Sequence, residues 1–383
     1  MATYNRASML HASIDSLLAQ SRPVDEIIIV DDGSTDDTEQ IIRSYGPRLT
    51  YLRQENAGRS SAINLGLAHC KSDYVWTFDD DDIAQPDGHE NLAAVLDADQ
   101  SIDFAFGAFH SFREDPSGRR HINDNHYWLR PEEPSIRINF LEGMFTQFNA
   151  MLVRRSLYEK VGGFRKDLLR SQDVEMALRL ARNARAAPVD KVIFLYRIHD
   201  GLRGSVGHFF PAEESAKRWF INNRHIYSII RKEFELDEFT PTFAQAWDKP
   251  LARRAALLER ACVFALRSMW DETLDDLRAA AIAAPAAAAT PEEMKLAEIA
   301  IRIRDPWKEL GKNLAWIAQL NFFYKTNDYS RSIIYSLCRP LVWQMRHSLQ
   351  GGKFHAFLEL TKVLTGILGT RDGASRLLSS LFD

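Results

Sequence analysis

Four consecutive carboxylates, Asp79-Asp80-Asp81-Asp82, follow an apolar run at residues 74–78. Neighbouring carboxylates raise each other's pKa, so massing them costs stability unless a cation gathers them. An all-oxygen donor set suits a hard divalent ion, Mg²⁺ or Mn²⁺, which keeps some waters and takes substrate phosphates as further ligands. Taken alone, such a run also reads as a solvated acidic loop. Its place after a strand in an α/β pattern favours a ligand site, because such sheets collect ligands at the carboxyl ends of their strands.

Three further stretches carry chemistry. Residues 27–36 are a β-branched strand ending in Asp31-Asp32-Gly33-Ser34, where a carboxylate can accept the imide N–H of a uracil ring or a ribose hydroxyl. Gly33 lets the backbone approach closely there; Asp-Gly-Ser is also an ordinary capped turn. Residues 56–64 hold Arg59, which either reaches a phosphate or is a surface arginine. The third stretch is Gly162-Gly163-Phe164, then Ser171-Gln172-Asp173 opening a helix, then Tyr196-Arg197-Ile198-His199.

The elements that position these residues alternate. Helices are expected at 8–20, from the Gly-Ser turn to 45, at 60–70 and from Pro86 to about 96. Strands are expected at 26–30, 49–53 and 74–78. This alternation implies a mostly parallel, doubly wound sheet. Residues 101–205 add strands at 104–109, 149–153 and 191–196 and a helix at 174–184. A long polar loop precedes residue 149, as a substrate lid or acceptor site would require. From about residue 210 the pattern is helical, with an Ala-rich, Pro-bounded stretch at 279–291 that reads as a helix end and linker.

Composition excludes several classes. With 45% hydrophobic and 11% aromatic residues, the 383-residue chain can bury a sizeable core. Its three cysteines are odd in number and widely spaced, against a disulfide framework or thiolate metal site and in favour of a reducing, cytoplasmic setting. Residues 301–383 carry 12 Lys/Arg against 6 Asp/Glu, and the first 300 carry 36 against 46. The acidic part does not suit nucleic acid. The basic tail, with aromatics at 321–325 and 333–343, has two readings. It is a peripheral membrane contact on anionic lipid, or a helical subdomain that packs those aromatics inward.

The joint order of Thr3-Tyr4-Asn5-Arg6, Val30-Asp31-Asp32-Gly33-Ser34, residues 56–64, Asp79–Asp82, Gly162-Gly163-Phe164 and Gln172-Asp173 resembles a family 2 glycosyltransferase. The resemblance covers about residues 1–205. It implies a GT-A fold, that is, a Rossmann-like α/β domain over residues 1–209, followed by an all-helical region over 210–383. It further implies a UDP-sugar donor, a saccharide or lipid-linked acceptor, and Mn²⁺ or Mg²⁺ as cofactor. By that resemblance Asp81 is the leading metal ligand, supported by Asp82, and His199 completes the metal or diphosphate site or is structural. Asp79 or Asp80 contacts the ribose, Tyr4 stacks on the base beside Thr3, Asp32 with Asp31 reads the uracil edge, and Arg59 meets the diphosphate. Asp173 is the general base of an inverting displacement, which needs one base and no covalent intermediate.

The chain departs from the family pattern in three places. Ile63 stands where members often carry Arg, with Arg59 four residues earlier on the same helix face. Gln172 stands where Glu is common. The first interior strand has only Met1-Ala2 ahead of Thr3. That leads to the expectation of a start further upstream, with a gap or slipped strand beside residues 27–30 and weak anchoring of Thr3 and Tyr4. Two other functions fit parts of the pattern. One is a sugar-nucleotide-binding protein impaired in catalysis, suggested by Ile63 and Gln172. The other is a receiver-type signalling module, which needs a Lys beyond its acidic pocket; residues 74–110 contain none.

Overall fold

The computed structural model describes residues 1–124, 133–168, 170–199, 215–302, 306–369 and 373–379, and among these described residues nine strands form two sheets. The chain makes two compact units. One comprises Met1–Pro131 and Asn139–Asn222, the other Glu132–Ile138 and Asn223–Asp383. A domain boundary between residues 209 and 210 falls outside the described residues.

The first unit opens with β1 (Ala2–Thr3), β2 (Ile28–Asp31) and β3 (Thr50–Arg53), joined in parallel in that order. Helices α1 (Ala7–Leu18), α2 (Thr38–Ser44) and α3 (Arg59–His69) connect and follow them. Ile29 and Val30 are buried, as the β-branched run requires of a strand covered on both faces. Helix α2 starts later than the Gly-Ser turn suggests. The N-cap position is Asp37, Asp36 before it accepts from the Thr38 N–H at 3.1 Å, and Ser34 instead accepts from the Asn5 N–H at 2.9 Å.

The second sheet holds β4 (Tyr74–Trp76), β5 (Ile83–Ala84), β6 (Phe104–Glu114), β7 (Arg120–Asn123), β8 (Met151–Arg154) and β9 (Ala186–Arg197). Its order is β4-β8-β6-β9-β5, with β7 paired to β6 as a hairpin. Strand β9 runs parallel to β6, while β8 is antiparallel to both β4 and β6. Helices α4 (Gly88–Ala98), α5 (Ile136–Glu142), α6 (Arg155–Val161) and α7 (Gln172–Asn183) lie between these strands in sequence. The long polar stretch is partly β structure, since β6 extends to Glu114 before turning into β7; residues 125–132 lie outside the described set.

The short β1 is in register rather than slipped. Ala2 pairs with Val30 and Thr3 with Asp31, and the Asp32 N–H donates to the Thr3 carbonyl at 2.9 Å. Thr3 is buried, and the expected gap is present as a cavity of about 660 Å³ lined in part by Met1, Ile27 and Ile28. Met1 occupies a recess where burial pushes its α-amine down to about 6, against the pull of Asp79 and Asp80.

The second unit is helical. The pair Lys249–Ala265 and Trp270–Ala283 buries Leu258, Phe264, Trp270 and Leu277. The alanine-rich stretch after them is fixed by one side chain. Fully buried Arg254 forks onto Glu293 at 2.7 Å through both Nε and Nη2, and donates to the carbonyls of Ala284, Ala287 and Ala288. Thr290 and Glu293 cap the next helix, Pro291–Ala297, reciprocally. No helix among the described residues is long and apolar enough to cross a membrane.

Removing one partner of a buried, hydrogen-bonded ion pair strands the other charge. Arg254→Met is therefore expected to destabilise the fold by about 3–5 kcal/mol, and adding Glu293→Leu to recover much of that loss. Urea unfolding of the two variants checks it; equal loss in single and double variants would show that packing, not the stranded charge, dominates.

Candidate active site

The acidic cluster sits just beyond β4, held by residues from distant parts of the first unit. One carboxylate oxygen each from Asp79, Asp81 and Asp82 lies within 4.8 Å of the others. Asp82 is fully buried, accepting from the Arg197 N–H at 2.8 Å and from the Asn149 side-chain amide. Asp81 faces Arg6 at 2.8 Å and the His199 Nε2 at 3.2 Å, and Arg6 also meets that nitrogen at 3.1 Å. Asp79 is paired with Arg59, and its backbone carbonyl accepts from the Ser13 hydroxyl at 2.9 Å.

The electrostatics follow from crowding and desolvation. Asp80 is pushed up to about 7, by removal from water and then by the charge of Asp81. Asp82 is raised by burial and by Asp81 and Asp79. Desolvation also raises Asp79, against Arg59. Asp81 alone goes down: burial opposes its charge, but the His199 hydrogen bond and the Arg6 guanidinium outweigh that. The converging oxygens of Asp79, Asp81 and Asp82 make an all-carboxylate donor set that fits a hard divalent cation.

Asp31 and Asp32 are held by the protein itself. Asp31 accepts from the Ser34 N–H at 2.7 Å and the Tyr51 hydroxyl at 2.9 Å. Asp32 accepts from the Gln54 amide at 2.6 Å and from the N–H groups of Ala57 and Gly58 at 2.9 and 2.8 Å. A carboxylate has about four acceptor positions, so Asp32 keeps one. Gly33 makes this closure possible. Its φ is +85°, and a Cβ there would stand 3.0 Å from the Asn56 nitrogen. Tyr4, after Thr3, is half-buried.

Asp173 lies in the first turn of α7, exposed, with its Oδ1 accepting from the Val174 N–H at 2.9 Å. It is within electrostatic reach of both Arg59 and Asp79. Ser171, before it, takes φ +54°, a left-handed conformation that costs a non-glycine residue about 1–3 kcal/mol. Among the described residues, the Ser171 hydroxyl and the Gln172 carbonyl oxygen are buried without a hydrogen-bond partner.

Asp79 is thus joined to Arg59 and Asp81 to His199, with Asp173 in electrostatic reach of Asp79. Sequence reasoning assigned no role to Arg6, Asn64, Asn149 or Arg197. Arg6 and Arg197 lie inside motifs that were visible, and their charge was the available signal. Asn64 makes a two-bond clasp, its amide donating to the Phe164 carbonyl at 2.8 Å and its oxygen accepting from the Phe164 N–H at 2.7 Å. That clasp needs Gly163, where a Cβ would fall 2.5 Å from the Asn64 oxygen.

Residues 1–162 match the model of "Glycosyl transferase family 2". An uncharacterized glycosyltransferase of Rickettsia typhi is 27% identical over 203 residues, covering 51% of this chain and 62% of that protein. Glycosyltransferase GlyA of Streptococcus pneumoniae is 36% identical over 114 residues, 29% of this chain and 16% of that one. This chain therefore spans 62% or less of the length of these relatives. Among solved structures, S. aureus TarS in complex with UDP-GlcNAc is 16% identical, with 92% of this chain and 90% of that chain covered and a TM-score of 0.49.

The raised Asp80 gives a signed expectation. Its proton is held in the folded chain up to about 7 but released near 3.8 when unfolded, so its ionisation costs stability as pH rises between those values. Without divalent metal, the wild type should lose stability relative to Asp80→Asn across that window. Denaturant unfolding of both proteins from pH 4 to pH 7.5 measures the difference, and a constant difference would contradict the assignment.

Proposed function

We propose that this chain, whose residues 1–162 match the glycosyl transferase family 2 model, transfers a sugar from a UDP-sugar to an acceptor hydroxyl with inversion at the anomeric carbon. The observation that carries the proposal is the convergence of Asp79, Asp81 and Asp82 beside Arg59, with Asp173 in electrostatic reach of the same point.

On this reading Asp79, Asp81 and Asp82 hold Mg²⁺ or Mn²⁺, with His199 positioned against Asp81. The bound ion would supply positive charge for the departing diphosphate. Arg59 and Arg6 supply further charge from the protein. Thr3 and Tyr4 border the base, and the remaining acceptor position of Asp32 suits the imide N–H of uracil. Asp80 takes the ribose. Asp173 removes the acceptor proton, and its exposure lets an incoming hydroxyl reach it.

A base acts on the acceptor, not on the donor. Asp173→Asn is accordingly expected to bind UDP-sugar normally while turnover falls by about 10²–10⁴-fold or more. Calorimetry for donor binding and initial rates for turnover, followed by NMR of the product anomer, test this. Retained configuration, or unchanged turnover, would reject the mechanism.

The acceptor is proposed to be a saccharide or lipid-linked chain in cell-surface polysaccharide or glycolipid synthesis, met at a membrane surface. The tail supports that setting in part. It buries Phe323, Tyr329, Ile333 and Leu337, but Phe322 and Trp343 are 75% and 61% exposed in a segment with excess basic charge. Flotation with anionic liposomes is expected to recover the full chain, and Phe322→Ser with Trp343→Ser to abolish recovery. Failure of the full chain to float would remove the membrane contact.

A further inference from the structure

Two arginines flank Asp81, and they are held in different ways. Arg197 is fixed from three sides: its Nε donates to the Asp81 carbonyl at 2.8 Å, its Nη1 pairs with Glu114, and its guanidinium lies 4.7 Å from the centre of the Phe112 ring. Arg6 is held by its tip. Among the described residues its side chain is engaged through Nη1 alone, with Asp81 Oδ2 at 2.8 Å, His199 Nε2 at 3.1 Å and Met9 Sδ at 3.9 Å.

The backbone that carries Arg6 is pinned on both sides. Asn5 ahead of it takes φ +52°, donates its N–H to the Ser34 hydroxyl oxygen at 2.9 Å and accepts from the Thr35 N–H at 2.8 Å. Ala7 after it donates to the Asp36 carboxylate at 3.1 Å. A long side chain on a fixed backbone, 24% exposed and anchored at one atom, can change partner while the fold stays as it is.

Asp81 Oδ2 and His199 Nε2 stand 3.2 Å apart. Adjacent ligands of an octahedral ion with bonds of about 2.1 Å are about 3 Å apart, so these two atoms have the spacing of neighbours in one coordination shell. Arg6 Nη1 lies against both of them. A guanidinium stays protonated and cannot ligate a cation, so it competes with one for the same carboxylate oxygen. Left beside a divalent ion, it is also repelled unless an anion takes up its charge.

We propose that Arg6 is an internal counter-ion of Asp81 that opposes divalent-ion binding until a nucleotide diphosphate draws it away. The inference rests on the donor-site reading above and deepens it. Arg6 is then more than a second positive charge beside the diphosphate: by exchanging one anion for the other, this side chain couples the two binding events. Such coupling is reciprocal, so the diphosphate tightens the ion by the same factor as the ion tightens the diphosphate.

Binding of Mn²⁺ alone, followed by the EPR signal of the free ion, separates this role from a structural one. Arg6→Gln and Arg6→Met remove the charge. Without nucleotide they are expected to bind Mn²⁺ about 5-fold or more tightly than the wild type does, and with saturating Mn²⁺ to bind UDP more weakly. Arg6→Lys keeps the charge and is expected to bind Mn²⁺ as the wild type does. Damage to the site would weaken Mn²⁺ binding, so tightening by the neutral variants and not by Lys supports the counter-ion; melting curves verify that each variant is folded. Unchanged or weaker Mn²⁺ binding by a folded neutral variant, or equal tightening by Lys, overturns the inference and leaves the donor-site reading in place. A wild type that takes up no Mn²⁺ with or without UDP overturns that reading and the inference together.

Discussion

The first unit is built around a repulsion. Four carboxylates leave β4 in succession, and the surrounding fold exists in large part to hold them at close quarters. Arg6 comes from the turn before α1, Arg59 from the first residue of α3, Asn149 from the turn before β8, and Arg197 and His199 from the end of β9. Each contributes a positive charge or a directed N–H. The result is uneven: Asp81 is held ionised while Asp79, Asp80 and Asp82 retain a raised affinity for protons. That is the state expected of a site waiting for positive charge from a ligand.

The Gly-Gly-Phe turn is tied to the helix that carries Arg59 by the Asn64 clasp. Helix α3 begins at Arg59, next to the acidic cluster, and reaches Phe164 through Asn64 five residues later. The Gly-Gly-Phe turn in turn accepts from Arg179 of α7 through the Gly163 carbonyl at 3.0 Å. Two motifs that look separate along the chain therefore act as one support, which explains how an exposed Asp173 is kept near Arg59.

Much of this was legible in residue order. The β-branched run at residues 27–30 and the carboxylates that follow it read directly as a strand leading to a site, because period and charge are local properties. The antiparallel insertion of β8 between β4 and β6 did not read, since direction is set by tertiary pairing and leaves no local mark in the sequence Met151–Arg154. Asp32 was readable as a polar group at a turn, but its three hydrogen bonds from Gln54, Ala57 and Gly58 depend on a loop more than twenty residues away. Ser34 misled for a related reason: a hydroxyl suited to capping α2 is recruited by Asn5 instead. Arg254 was invisible as a structural element because nothing in an alanine-rich stretch announces that its carbonyls will be gathered by one guanidinium.

The long reach of the contacts around the acidic run has a consequence for the order of folding. The partners of Asp81 and Asp82 lie 67 to 118 positions away along the chain. Loops of that length must close before any of those hydrogen bonds forms, and their closure entropy has to be met by contacts elsewhere. Until then the four aspartates gain more from water than from one another. The helical hairpins and the local strand pairs are thus free to assemble early, and the acidic cluster is among the last parts of the unit to become native. A chain emerging from synthesis has no functional centre until β9 is in place, however much of its sheet has already formed.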